Sequence, residues 1–138
     1  MATTTAAVTL TSDLLSDNMS VSTSTTCMKA GTEADGLDQM DMGYIEIAIG
    51  DQFDLLDSTV LSVNKANKVY LCNESTDETY YVIVTVKAEV LGRLYAGDWM
   101  FIPWAAEHAT SDISITAYTG TNNITYTLFH EGRTLTAS

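Results

Sequence analysis

The sequence holds a single proline, Pro103, and two cysteines, Cys27 and Cys72. It sets only 6 Lys plus Arg against 18 Asp plus Glu, for a formal net charge of -12. Each shortage excludes something. With so few basic residues, the chain lacks the counterion-releasing contacts that supply affinity for a phosphate backbone, so no nucleic-acid partner is expected. The same acidity disfavours adhesion to an anionic membrane surface. No apolar run approaches the roughly 20 residues that a membrane-crossing helix needs. The opening MATTTAAVTLTSDLL has neither a basic n-region nor a long apolar stretch, so no signal peptide is expected and synthesis in a cytoplasm is the simplest account.

The cysteines lie far apart and form no metal-like pair. They read as two buried, reduced thiols, with a disulfide open only if their strands prove to be neighbours. Only two histidines occur, His108 and His130, too few and too isolated for a transition-metal site. A G-x-S-x-G elbow, a phosphate-binding Gly-rich loop and H-E-x-x-H are all absent. Glu107, Ser111 and Asp112 are close to His108 in sequence, but neighbours in sequence are not a triad. His130 reads as a surface residue. No catalytic residue, cofactor or metal is therefore expected, and a non-enzymatic protein is.

What the chain does contain is strand-forming sequence. Hydrophobic content of 46% over 138 residues supports one folded domain with a real core. Residues 1–30 are rich in Thr, Ser and Ala and alternate in AAVTL and MSVSTSTT. They read either as an edge-strand pair or as an N-terminal arm reaching a neighbouring subunit; residues 31–138 form the β-domain. GTEADGLDQMDM, residues 31–42, reads as an acidic loop. Its carboxylates from Glu33 to Asp41 raise a calcium question, but their spacing does not follow an EF-hand, and a solvated loop is the simpler reading. GYIEIAIG alternates Ile45, Ile47 and Ile49 with Tyr44, Glu46 and Ala48, the period of a half-buried strand. DQFDLLDST reads as a loop or one helical turn, and TVLSV as a further strand.

The organising stretch runs from Lys68 to Trp104. KVYLCN is a strand, NESTDET a polar turn and TYYVIVTVKAEV a long strand, apolar on both faces and so expected to be covered on both. Gly92 and Gly97 punctuate the chain before DWMFIPW. There Trp99, Phe101 and Pro103 share one face and Met100, Ile102 and Trp104 the other, with Pro103 ending the strand or marking an edge. DISITAYT and NITYTLFHEG follow as two strands joined by TGTNN, which reads as a hairpin. The whole predicts an all-β, antiparallel sandwich or jelly-roll-like barrel of about eight strands. Tyr95, Trp99, Phe101 and Trp104 are the candidate interface residues, since Trp and Tyr are enriched where proteins meet.

The succession KVYLCNES, YYVIVTV, GRLYAGDWMFIPW, DISITAYTG and TYTLF, with Leu94, Gly97, Asp98 and Pro103 at its turn and strand end, resembles the small β-sandwich structural proteins of tailed bacteriophages. The likeness covers roughly residues 67–130. It implies a non-enzymatic virion protein made in the host cytoplasm, with capsid decoration (cement) proteins the first choice. It further implies a homo-oligomer, a trimer or dimer, that binds the major capsid protein or another virion protein. A phage tail or carbohydrate-binding module using Tyr95, Trp99 and Trp104 is the alternative.

Overall fold

A computed structural model of the protein describes residues 3–12, 19–28, 37, 39–56, 66–104 and 112–130. Wherever β-branched and aromatic side chains alternate with polar ones the backbone is extended, because branching at Cβ suits a pleated surface. Ten strands result among the described residues. They are β1 (Thr4–Ser12), β2 (Met19–Cys27), β3 (Gln39–Ile47), β4 (Gln52–Leu56), β5 (Asn67–Asn73), β6 (Tyr81–Val86), β7 (Glu89–Tyr95), β8 (Trp99–Pro103), β9 (Ile113–Thr119) and β10 (Asn122–His130).

The last eight are nested like one long hairpin rolled up on itself. β3 pairs with β10, β4 with β9, β5 with β8 and β6 with β7, all antiparallel. Two further antiparallel pairings, β5 with β10 and β6 with β9, complete two four-stranded sheets ordered β3-β10-β5-β8 and β4-β9-β6-β7. Both sheets keep edges, so the architecture is sandwich-like rather than a closed barrel. The expected eight strands become ten in three sheets, because β1 and β2 form a separate two-stranded ribbon.

One core lies between the two large sheets. Val69, Leu71, Ile124, Leu128 and Ile47 from the first meet Val82, Val84, Leu94, Ile113, Ile115 and Ala117 from the second. A fully buried Val, Leu or Ile contributes about 1.5–3 kcal/mol by leaving water, so this contiguous cluster is the main stabilising feature. Trp104 closes the core at 4% exposure. A hydrogen-bonded cluster fastens one end. Asn73 Nδ2 donates to Leu94 O at 2.9 Å and to Asn122 Oδ1 at 3.0 Å, while Asn73 Oδ1 accepts from Ser75 N at 3.0 Å. Asn122 Nδ2 donates to Thr119 O at 2.9 Å and Ser75 Oγ accepts from Asn123 N at 3.1 Å. These bonds tie β5, β7 and the β9–β10 turn together, so buried amides are satisfied where the chain crosses between sheets.

Several sequence expectations are corrected by this topology. The long strand TYYVIVTVKAEV is broken: Lys87 and Ala88 turn the chain with φ of 53° and 62°, and β6 folds back onto β7. Positive φ at both central residues is the twist-matched two-residue hairpin turn, normally made by Asn and Gly. Gly92 does not punctuate; it sits inside β7 opposite Val84, next to a bulge. The organising stretch Lys68–Trp104 is therefore divided between the sheets, with β5 and β8 in one and β6 and β7 in the other. Residues 52–56 are strand β4 rather than a loop or helical turn, and β3 begins at Gln39, inside the expected acidic loop. DISITAYT and NITYTLFHEG do not pair with each other. β9 and β10 belong to opposite sheets, and Gly120 (φ 62°) lets the chain arch between them under the ring of Tyr80. Ile113, Ile115 and Ala117 share the core with Ile124 and Leu128 of the opposite sheet. The expected strand TVLSV, the polar tail RTLTAS and His108 with Glu107 and Ser111 lie outside the described residues.

Candidate interaction surface

The sheet β3-β10-β5-β8 has two apolar faces. Strand alternation turns Ile45, Val69, Leu71, Met100 and Ile102 inward, and the residues between them point out. Register places three rows across the four strands on the outer face. Tyr44, Thr125, Cys72 and Trp99 form the first row; Met42, Thr127, Tyr70 and Phe101 the second; Met40, Phe129, Lys68 and Pro103 the third. The rings touch across strands, with Tyr70 and Trp99 centroids 6.5 Å apart and Phe101 and Phe129 6.3 Å apart. Lys68 is the one charged residue in these rows, in a chain with 18 carboxylates; Glu46 and Glu74 stand beyond the first row. The hydrogen bond with Cys72, with burial and the nearby Glu74, raises the Tyr70 phenol above its ordinary value.

Over the β5–β8 half of this face lies β1. Thr4, Ala6, Val8 and Ser12 are its half-buried positions, and residues 4–8 enclose an open cleft of about 340 Å³ with Tyr70, Trp99, Phe101 and Phe129. The base of the ribbon is fixed by Leu37, whose N–H donates to Cys27 O at 2.6 Å and whose carbonyl accepts from Thr4 Oγ1 at 3.0 Å. Leu37 and Cys27 are both buried there. Past Val8 the ribbon exposes its apolar side chains. Leu10 and Val21 are directly opposed across the strands and 48% and 44% exposed. Neither nine-residue strand carries a charged residue.

The four residues singled out in the sequence do not gather at one place. Trp99, 49% exposed, and the half-buried Phe101 belong to the face just described. Trp104 follows Met100 and Ile102 inward by the period of two and is part of the core. Tyr95 lies on the outer face of the opposite sheet, because the turn at residues 96–98 carries the chain from one sheet to the other. That turn explains the Leu94, Gly97 and Asp98 spacing: Gly97 takes φ 87°, its N–H donates to Asn73 O at 2.7 Å, and Asp98 Oδ2 accepts from Tyr95 N at 2.9 Å. Around Tyr95 a second aromatic group forms. The Tyr81 ring is 5.0 Å from Tyr95 and stacks at 3° on Tyr118, 6.0 Å away, with the Arg93 guanidinium 4.7 Å from its centre. A hydrogen bond from Arg93 to the Tyr95 hydroxyl raises the guanidinium pKa further.

Met40, Met42, Tyr70 and Phe129 belong to the surface but were not among the sequence candidates. Met40, Met42 and Tyr44 at every second position were the available signal, hidden by the acidic residues around them. His130 is corrected from a surface residue to a buried one, 3% exposed, with Nε2 3.2 Å from Asp41 Oδ2. Of the carboxylates behind the calcium question, Glu33, Asp35 and Asp38 lie outside the described residues, and Asp41 is this histidine's partner. Among the described residues no three His, Cys, Asp or Glu side chains gather as a metal site would require. Both cysteines are free thiols; Cys27 is buried, and Cys72, on the outer face, is corrected from buried to half-buried.

Comparison with protein-family models, curated proteins and solved structures returned no match. The functional reading therefore rests on the geometry of this chain.

Proposed function

We propose that the protein is a non-enzymatic virion structural protein of the decoration (cement) kind, which self-associates and stabilises a larger particle through contacts between subunits. The observation that carries this reading is the uncharged ribbon β1–β2. A two-stranded ribbon standing alone is marginal in water, and this one spends nine residue pairs with most of its side chains exposed. Such an element gains stability only when something covers it. The nested order of β3 to β10 supports the same reading as an analogy of fold. It is the strand order of a jelly roll, an architecture found in viral capsid and lectin domains. A surface of net negative charge, with few carboxylates where it is apolar, suits a protein kept soluble until it assembles. Many weak contacts repeated around a particle then multiply into firm attachment.

A carbohydrate-binding module, in a phage tail or receptor-binding protein, is the second reading, and the Tyr81, Tyr95, Tyr118 and Arg93 group favours it. Its rings turn toward one another, however, which leaves less aromatic face for a sugar to stack on. Native mass measurement of the protein isolated from its natural source distinguishes the two. A structural protein is recovered as an oligomer with a coat protein or within particles. Recovery as a lone chain that a glycan array retains would overturn the proposal in favour of the second reading.

A further inference from the structure

We infer that the exposed β3 side of the outer face, Met40, Met42 and Tyr44, is the seat for the N-terminal ribbon of a second copy of this chain. The inference rests on the self-association reading and names its contact. Three observations bring it out. First, this half of the face is open: Met42 is 72% and Tyr44 60% exposed, and with Tyr70, Thr125, Thr127 and, at its rim, Glu74 they line a groove of about 500 Å³. Second, the other half of the same face already receives a ribbon strand, the chain's own β1, through Thr4, Ala6 and Val8. The face is thus of a kind that Thr- and Ala-rich ribbon fits, and it continues past the edge of the existing contact.

Third, charge selects the partner. Two copies each bearing -12 repel least where they meet through surfaces poor in carboxylates. The three outer-face rows contain none, Glu46 and Glu74 stand only at their border, and β1 and β2 contain none. The ribbon's distal pair, Leu10 and Val21, supplies the apolar contact that Met42 and Tyr44 lack. Ribbon on face is a heterologous contact, so each copy gives one ribbon and receives another, and closure yields a ring.

The experiment compares four samples of the full chain by sedimentation velocity over a concentration range: wild type, Met42→Glu with Tyr44→Glu, Leu10→Lys with Val21→Lys, and the two variants mixed. All four substituted side chains are exposed, so folding is retained, and circular dichroism checks it. Should the glutamates disturb the fold, Met42→Ser with Tyr44→Ser replaces them. The wild type is expected to assemble. Each variant alone should associate roughly 100-fold more weakly, since it buries charge or loses the central apolar contact. The mixture should recover association, because one variant supplies an intact ribbon and the other an intact face. Variants that assemble as the wild type does would overturn the inference and leave the self-association reading standing. A mixture of folded variants that fails to recover would also overturn it. A wild type that stays a single chain throughout would remove both.

Discussion

Replacing Lys87-Ala88 by Asn-Gly should make the protein more stable, although neither side chain is buried. These two residues form the tip of the rolled hairpin, with φ of 53° and 62°. An L-residue held left-handed costs roughly 1–2 kcal/mol, whereas Asn and Gly adopt that conformation readily. Glycine returns part of the gain, about 0.4–1 kcal/mol, by loosening the unfolded chain. The pair should therefore contribute about 1 kcal/mol. With a urea slope of about 2 kcal/mol/M, the midpoint should rise by roughly 0.5 M, with the melting temperature up by about 4 °C. Urea unfolding followed by tryptophan fluorescence measures this, at one fixed protein concentration so that any oligomer equilibrium is held constant. Ala88→Val supplies the opposite sign, because a β-branched residue tolerates positive φ worst. An Asn-Gly variant that is less stable than wild type, or an Ala88→Val variant that is unchanged, would refute the turn and with it the nesting of all eight sandwich strands.

Other perturbations test different levels of the structure. Val84→Asp should abolish folding, because Val84 is 1% exposed and an unpaired buried carboxylate costs several kcal/mol; a soluble variant with native circular dichroism would contradict the core. Asn73→Ala should cost about 2–4 kcal/mol in chemical denaturation, since three side-chain hydrogen bonds at the sheet crossing are lost; a loss below about 0.5 kcal/mol would show that the cluster is not structural. Gly43→Ala should cost about 1–3 kcal/mol, because a β-carbon there overlaps the Tyr126 ring; a neutral result in thermal unfolding would place Tyr126 elsewhere. Removing residues 1–26 should leave the sandwich folded but impair assembly, read by circular dichroism and sedimentation together; normal assembly of the shortened chain would exclude the ribbon from the interface.

How far the sequence disclosed this structure depends on the kind of signal involved. Strands β5, β6 and β9 were legible because Val69 and Leu71, Val82 and Val84, and Ile113 and Ile115 repeat every second residue on a buried face. The turn at Lys87-Ala88 was not, since neither residue favours positive φ and tertiary packing holds them there against their preference. Gly120-Thr121 gave a true turn signal with the wrong meaning. Two residues can close a hairpin or arch between sheets, and only the pairing partners of β9 and β10 decide which. Met40 and Met42 were obscured because acidic neighbours made a strand resemble a loop. His130 looked like an exposed strand end, and only Asp41 of the adjacent strand reveals it as a buried partner. Aromatic content drew attention to Trp99 and Phe101, but alternation alone could not reveal that the chain's own ribbon shares their face, nor that Tyr95 and Trp99 would be sent to different sheets.

The central claim is that this fold is built to associate through its N-terminal ribbon. Native mass measurement of the full chain across a concentration range tests it most directly. Association predicts a defined species at two or more times 15.0 kDa. A single species at 15.0 kDa at every concentration, with the ribbon strands protected from hydrogen exchange in that lone chain, would contradict it.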